Sequence, residues 1–399
     1  MKESKSFKHM FFYWSLSMVV VTLPFPKYSL NSQSIILLVV SWLLFNNFSE
    51  KTKNLKAMLL PFITMSSIFW LSLLGLFYTD NFGKASEVLL ANLPFLIIPL
   101  VFFSVKLDNA LKQKLFKIFS FSVIIASVFG LIKALFFRIN NLGNYFYYTE
   151  FSKILDIHTT YFALFLVLAI LYFFYDFTLF KTLKKWQNVV CVIFLLGMLY
   201  IVSARISIIA LVTIFIVYIL SNFKKIDVVS KVSILIVTLL LTVLFFTSPN
   251  FQNRNIQADE FGTELPSIDT RLIHWEAVVN AIKKSNPLFG NGTGDAHENL
   301  FEEYRNLGFV SGYQYQYNAH NQYLEILLSF GLLGLFSLLL ILYQCLRQSL
   351  KNHNMFFLTQ VIVFMVFMLT ESILERQKGI ISFMFFLSLS LSANNTTSK

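Results

Sequence analysis

Charge is what this sequence has least of. Only 13% of its 399 residues are Asp, Glu, Lys or Arg, against 56% hydrophobic residues and 46 phenylalanines. A water-soluble domain carries about 25% charged residues. The chain therefore lacks the polar surface to cover several separate cores, and the two or three soluble domains its length would suggest are excluded. Its hydrophobic excess must face lipid. Cysteine is also scarce: Cys191 and Cys345 both lie in apolar runs and support no disulfide framework. The first apolar run is no cleavable signal, because Phe12 and Trp14 fill it, no small-residue cleavage site follows, and further runs come directly after. There is no visible internal repeat, and no matched pair of Gly- or Pro-broken spans such as many transporters carry in their two halves.

What the sequence has is a series of apolar runs. They lie at about 10–24, 34–46, 58–77, 88–105, 116–136, 158–177, 187–203, 206–222, 230–247, 323–345, 355–370 and 379–392. A membrane helix needs roughly 17–25 residues. The runs predict an all-α, polytopic transmembrane helix bundle of about twelve spans, or ten to eleven if the short second and last runs do not cross. The whole chain, 1–399, reads as one integral membrane domain. The net charge of +11 fits nucleic acid in principle, but its distribution argues for topology. With a cytoplasmic N-terminus, the inner connections collect clusters such as Lys51, Lys53 and Lys56, or Lys181, Lys184 and Lys185. Every inner connection is then rich in Lys and Arg, as positive-inside counting requires. Both termini are expected in the cytoplasm, and no nucleic-acid partner is expected.

The same count puts the longest connection, about 248–322, on the outer face. Connections longer than about 12–15 residues are uncommon and often functional. Asp269 or Thr270 is suited to cap a helix opening near Arg271, and Leu272, Trp275, Val279 and Ile282 recur at helical spacing. Lys283 and Lys284 suit the end of that helix. Asn286-Pro287 breaks it, and Gly290, Gly292 and Gly294 read as a flexible turn. A second amphipathic piece at about 295–307 stops at Gly308. The segment reads as a lid of short helices on the outer mouth of the bundle, between the ninth and tenth spans.

Several side chains at that face carry chemistry. Arg205, after Ser203-Ala204, reads either as an arginine snorkelling at a short turn or as a ligand for an anionic group. Positive-inside counting gives no reward to an arginine at an outer end, which favours the anion. Arg271 offers a planar fork of donors suited to phosphate, or a salt bridge to Asp269 or Glu276. His320, set in Tyr317-Asn318-Ala319-His320-Asn321-Gln322-Tyr323, changes protonation near neutral pH and suits general acid–base work. Asn318 and Asn321 are placed to orient it or to hold sugar hydroxyls, with Tyr323 and Glu325 close by. His158 opens another outer span. Glu371, Glu375 and Arg376 form the last outer turn, able to organise Arg205 or Arg271. His297, near Asp295 and Glu298, suggests a metal pair, but several ligands at defined spacing would be needed, so no metal and no cofactor is expected. The glycines at 290–294 follow a helix and not a strand, which excludes a dinucleotide site.

Taken together, Ser203-Ala204-Arg205, Arg271 through Trp275, Asn286-Pro287-Leu288-Phe289-Gly290, His320-Asn321-Gln322-Tyr323-Leu324-Glu325 with Gly331-Leu332-Leu333-Gly334, and Glu371 with Glu375-Arg376-Gln377 resemble the O-antigen ligase/polymerase family of polytopic bacterial glycan-transfer membrane proteins. The match at His158-Thr159-Thr160-Tyr161 is weaker, with Thr159 where related chains carry proline. The resemblance implies a multi-pass protein of the bacterial inner membrane with its active site facing the periplasm. By that resemblance, Arg205 and Arg271 bind the diphosphate of an undecaprenyl-diphosphate-linked glycan, and His320 acts on the acceptor. A ligase would pass the glycan to lipid A–core by direct displacement, with inversion and without a metal. A polymerase extending a lipid-linked glycan and a protein O-oligosaccharyltransferase share the fold and donor. A lipid-linked glycan exporter would need charges through mid-membrane, and the charges here cluster outside.

Overall fold

A backbone in lipid must satisfy its own polar groups, so long apolar runs of this kind fold as helices. The structure is a computed structural model that describes residues 7–25, 28–223 and 267–392, with 239, 243 and 247 as single positions; for 28 and 267–271 only the backbone is described. Helices dominate the described residues, and the only β-pairing among them is an isolated bridge between Asn286 and Gly290. In chain order the helices are α1 (Phe7–Thr22), α2 (Tyr28–Leu44), α3 (Phe48–Ala57), α4 (Leu59–Leu74), α5 (Phe82–Asn92), α6 (Pro94–Ser104), α7 (Asn109–Ile139), α8 (Tyr148–Leu155), α9 (Thr159–Tyr175), α10 (Lys185–Val202) and α11 (Arg205–Ser221). They continue with α12 (Ser267–Lys284), α13 (Ala296–Asn306), α14 (Val310–Gln314), α15 (Gln322–Lys351), α16 (Met355–Met368) and α17 (Gln377–Leu391).

Among the described residues, six helices are long and apolar enough to cross a membrane, or seven if the pair bent by 109° between Ser29–Leu44 and Phe48–Ala57 is one span. Three shorter apolar helices, α11, α16 and α17, stand beside them. Six or seven helices of spanning length among the described residues do not confirm the expected count of twelve, and the ninth run, 230–247, lies almost wholly outside the described residues. The bend between α2 and α3 is closed by Lys51, whose Nζ donates to the carbonyls of Trp42 at 2.6 Å and Leu43 at 3.2 Å, satisfying acceptors that end a helix.

The axis of the bundle is α9, buried on every side, with Leu164, Phe165, Leu166 and Val167 all without exposure. Such all-round apolarity marks a helix surrounded by other helices, here α7, α10, α11 and α16. At its far end the Asp176 carboxylate is fully buried and accepts from Thr182 N at 2.9 Å, Thr182 Oγ1 at 2.7 Å, Leu183 N at 3.0 Å and Asn188 Nδ2 at 2.9 Å. A buried charge is tolerable only when satisfied in this way.

The connection at 267–321 packs around a small second core of Ala277, Val278, Ala281, Leu300, Tyr304 and Phe309. Its first helix opens at Ser267, earlier than the sequence predicts, so Asp269 lies in the first turn and not before it. A negative charge there suits the positive end of a helix. The helix closes at Lys284 as expected, and Gly308 ends the second piece in the left-handed region. Asp295 fastens the start of α13 to the turn between α4 and α5, accepting from Thr79 Oγ1 at 2.9 Å and from the backbone N–H groups of Asp80 and Asn81, both at 2.8 Å.

The tenth run is not a continuous helix. α15 breaks at Gly331, whose φ of +59° and ψ of −155° are not helical. Residues 287–292 enter the break. Asn291 N donates to Leu328 O at 3.0 Å and Gly292 N to Ser329 O at 3.0 Å, while Leu332 N donates to Pro287 O at 2.9 Å and Leu333 N to Leu288 O at 3.2 Å. The expected flexible turn is therefore a fixed one. A β-carbon on Gly290 would meet the backbone of Ser329 and Gly331 at 2.6 Å, and one on Gly331 would meet Leu288 and Gly290 at the same distance. Only two glycines allow this approach.

Candidate functional site

The site is built at the entry to α15. Asn321 caps that helix, its Oδ1 accepting from Tyr323 N at 3.0 Å and Leu324 N at 3.2 Å. Just before the cap, His320 adopts a left-handed conformation with φ of +45°. A residue with a β-carbon pays about 1–3 kcal/mol for such a backbone and keeps it only where the surroundings enforce it. Two bonds do so: Asn318 Oδ1 accepts from His320 N at 3.0 Å, and Glu325 Oε2 accepts from Ala319 N at 2.8 Å.

This backbone aims the His320 ring at the turn between α16 and α17. Its Nδ1 lies 3.4 Å from Oε1 of Glu371. The other oxygen, Oε2, accepts from Thr160 Oγ1 at 3.1 Å and lies 3.9 Å from Nδ1 of His158. One carboxylate thus faces two histidines brought from the starts of α9 and α15. Burial alone would lift the Glu371 carboxyl, but the His320 imidazole, His158 and Thr160 outweigh it and hold the group below the usual carboxylate range. The carboxylate is an acceptor, so the pairing favours the proton on Nδ1 and leaves Nε2 of His320 as a base. The ring is walled by His274, edge-on at 5.2 Å between centroids, and by Tyr317 at 5.8 Å. His274 Nδ1 lies 2.9 Å from the Tyr304 hydroxyl, which donates to Asn318 O at 3.4 Å. Burial pushes the Tyr304 hydroxyl far above its ordinary range, so it stays a neutral donor.

Glu325 is turned inward. It is fully buried, with Oε1 at 2.7 Å from Nε2 of His297 and Oε2 accepting from Ser372 Oγ at 3.2 Å as well as from Ala319 N. Its contacts hold the His320 turn. Glu375 completes this second group, with Oε2 at 3.6 Å from the same nitrogen of His297. Burial withdraws His297 from its charged form, but the two carboxylates reverse this and raise it to about 9. Burial beside Glu325 raises Glu375 to about 7.

The remaining predicted residues are placed as follows. The Tyr323 hydroxyl donates to Met365 O at 3.3 Å, and Asn321 Nδ2 donates to Leu369 O at 3.2 Å. Both tie α15 to α16. Arg376 is exposed at the start of α17. Arg205 is half-buried as the first residue of α11, after Ser203 turns the chain at φ of +50°. It stands at the same end of the bundle as His158, because α10 returns antiparallel to α9. The Arg271 backbone lies in the first part of α12, and its side chain is outside the described residues.

Sequence reasoning missed the partnership of Glu371 with His320 and His158, and gave His274 no role. As an acid near the mouth Glu371 carries a signal, but sequence points it to an arginine because sequence distance hides the histidines. In sequence, His297 stands out for its neighbours Asp295 and Glu298. Those two instead bond to residues 79–81, while His297 meets acids from two distant segments.

No curated protein matches the chain. Residues 189–339 match the family model described as O-Antigen ligase. That stretch holds Arg205, the helices of the 267–321 connection, His320 and the Gly331 break; the Glu371 turn follows it. Helices of membrane-spanning length and composition and this match together support a multi-pass membrane protein whose residues 189–339 are similar to the O-antigen ligase family.

Proposed function

We propose that the protein transfers a glycan from undecaprenyl diphosphate to a lipid A–core acceptor at the periplasmic face of the bacterial inner membrane. The observation that carries this reading is the His320–Glu371 pair, a base with its proton directed to one side by a buried carboxylate. The family match supports glycan transfer of the ligase or polymerase type. In this reading Nε2 of His320 takes the proton of an acceptor hydroxyl as that oxygen attacks the anomeric carbon. The bond between the anomeric carbon and the diphosphate oxygen breaks, and the electron pair leaves with the lipid diphosphate. Arg205 and Arg271 stabilise the charge that develops there, helped by the positive end of the α11 dipole. Direct attack inverts the anomeric centre and routes no step through a metal. Asn318 and Asn321 hold the His320 turn, and Arg376 and His158 line the mouth.

The test is made in a strain lacking this protein, complemented with wild type, His320→Ala or Arg271→Ala, with lipopolysaccharide and lipid-linked glycan read side by side. The ligase reading expects long glycan on undecaprenyl diphosphate and bare lipid A–core in the uncomplemented strain and in both variants. Single-repeat material in their place would assign the chain to the alternative, a polymerase extending a lipid-linked glycan. Full activity in His320→Ala would remove the proposed base.

A further inference from the structure

We propose that His297, Glu325 and Glu375 bind one first-row divalent cation, which clasps the outer helix α13 to the mouth of the membrane bundle. The three side chains come from the first turn of α13, the first turn of α15 and the turn before α17. One donor atom from each can be chosen so that all lie within 4.8 Å of one another. Ligands on a common ion at about 2.0–2.2 Å are separated by roughly 3–4 Å, so His297 and Glu325, now 2.7 Å apart, separate slightly as Glu375 moves inward.

The geometry of the group points the same way. A single nitrogen, Nε2 of His297, faces carboxylate oxygens of Glu325 at 2.7 Å and of Glu375 at 3.6 Å. One N–H can serve only one of them well. Glu325 has no exposure, so its carboxylate needs close positive or donor partners on every side. Of the other charges near the group, Lys84 is close enough to act on both His297 and Glu375. Lys84 of α5 pairs with Glu87 at 3.0 Å, and Asp295 and Glu298 bond to residues 79–81. Arg376 is exposed. A divalent cation that replaces the Nε2 proton leaves a neutral imidazole, two carboxylates and two positive charges, which sum to zero.

The donors are also oriented in advance. Ala319 N and Ser372 Oγ hold the far oxygen of Glu325, leaving Oε1 directed at His297; outer partners of this kind fix metal ligands. The side chains of His297 and Glu375 keep 26% and 28% exposure, which gives an ion a way in. One imidazole with two carboxylates suits zinc or manganese better than magnesium or calcium, which favour all-oxygen sets. Three protein ligands leave room for water. The ion would sit beside the His320 turn as a clasp, outside the proposed transfer step, and the inference stands or falls separately from that step.

The experiment uses the full chain purified in detergent, stripped with a chelator and titrated with Zn2+, and in parallel with Co2+, whose visible absorption reports coordination by nitrogen and oxygen. Wild type is expected to take up one ion per chain and to melt at a higher temperature with it. Glu375→Gln and His297→Gln are expected to weaken binding about tenfold or more and to lose the melting response. Glu375→Gln also removes one of two facing like charges, so its metal-free melting temperature should not fall below that of wild type, which separates loss of the site from loss of the fold. Failure of stripped wild type to bind Zn2+, or binding by both variants as tight as wild type, would overturn the proposal.

Discussion

At the scale of single residues, the candidate site depends on one carboxylate that sequence order does not advertise. Glu371 and His320 meet only because α16 folds back along α15, whereas the His320 motif is contiguous and was legible at once. Glu371→Gln keeps the shape of the side chain but removes the charge that sets the imidazole tautomer. It is expected to lower the turnover of glycan transfer while leaving lipid-diphosphate capture close to wild type, a split that a purely structural role would not produce. The same carboxylate predicts a pH dependence. Its folded-state value lies below the ordinary 4.5, so the stability it contributes is present above that value and is lost as pH falls through the lower folded one. Melting curves taken from neutral pH into acid should show wild type losing more than Glu371→Gln. Equal losses would mean the carboxylate is not held by the histidines. Arg205 belongs to the same scale: capture of a lipid diphosphate should weaken in Arg205→Ala and become less sensitive to salt, and unchanged binding would remove it from the site.

At the scale of elements, the lesson is α15. Its apolar run reads as a single span, and the Gly290–Gly294 segment reads as a loose turn. Neither reading is unreasonable from one stretch alone, because the reason for each glycine lies in the other. The broken helix leaves the carbonyls of Leu328 and Ser329 and the N–H groups of Leu332 and Leu333 without helical partners, and residues 287–292 supply all four. Orphaned backbone groups at membrane depth are otherwise costly. Gly331→Ala or Gly290→Ala places a β-carbon 2.6 Å from opposing backbone, which has no rotamer by which to retreat. Each is expected to destabilise the protein by about 1–3 kcal/mol through overpacking, with further strain from the positive φ. Detergent melting curves measure this, and a variant within experimental scatter of wild type would mean the two segments are not interlocked. Local helix limits were more legible: Lys283-Lys284 and Gly308 ended their helices as their chemistry requires, whereas Asp269 lay inside its helix because a carboxylate suits the first turn as well as the cap.

At the scale of the molecule, composition was the strongest guide. Scarce charge and abundant Phe, Leu and Ile dictate helices for lipid, and helices make up most of the described residues. The number of crossings was less legible, because an apolar run does not reveal whether it is long enough, bent or packed inside. α9 is nearly all buried, and α2 turns sharply at Phe45–Asn47 into the polar α3. Lysine asymmetry predicts which side each connection occupies. With Cys191 and Cys345 replaced by serine, Tyr313→Cys on the outer connection should react with an impermeant maleimide in intact cells. Lys106→Cys should react only after the membrane is opened. Both positions are exposed, and the opposite pattern would invert the topology. The strap through the α15 break adds a mechanical constraint to this picture. A cover hinged on a loose tether opens alone, whereas in the proposed reading the 267–321 connection would be a cover threaded into α15, much as a key sits in a shaft. Any movement that admits a long lipid-linked chain must either carry the first turns of α15 along, and His320 with them, or unthread the strap and expose its backbone. Access to the base and the posture of the base are thereby one degree of freedom.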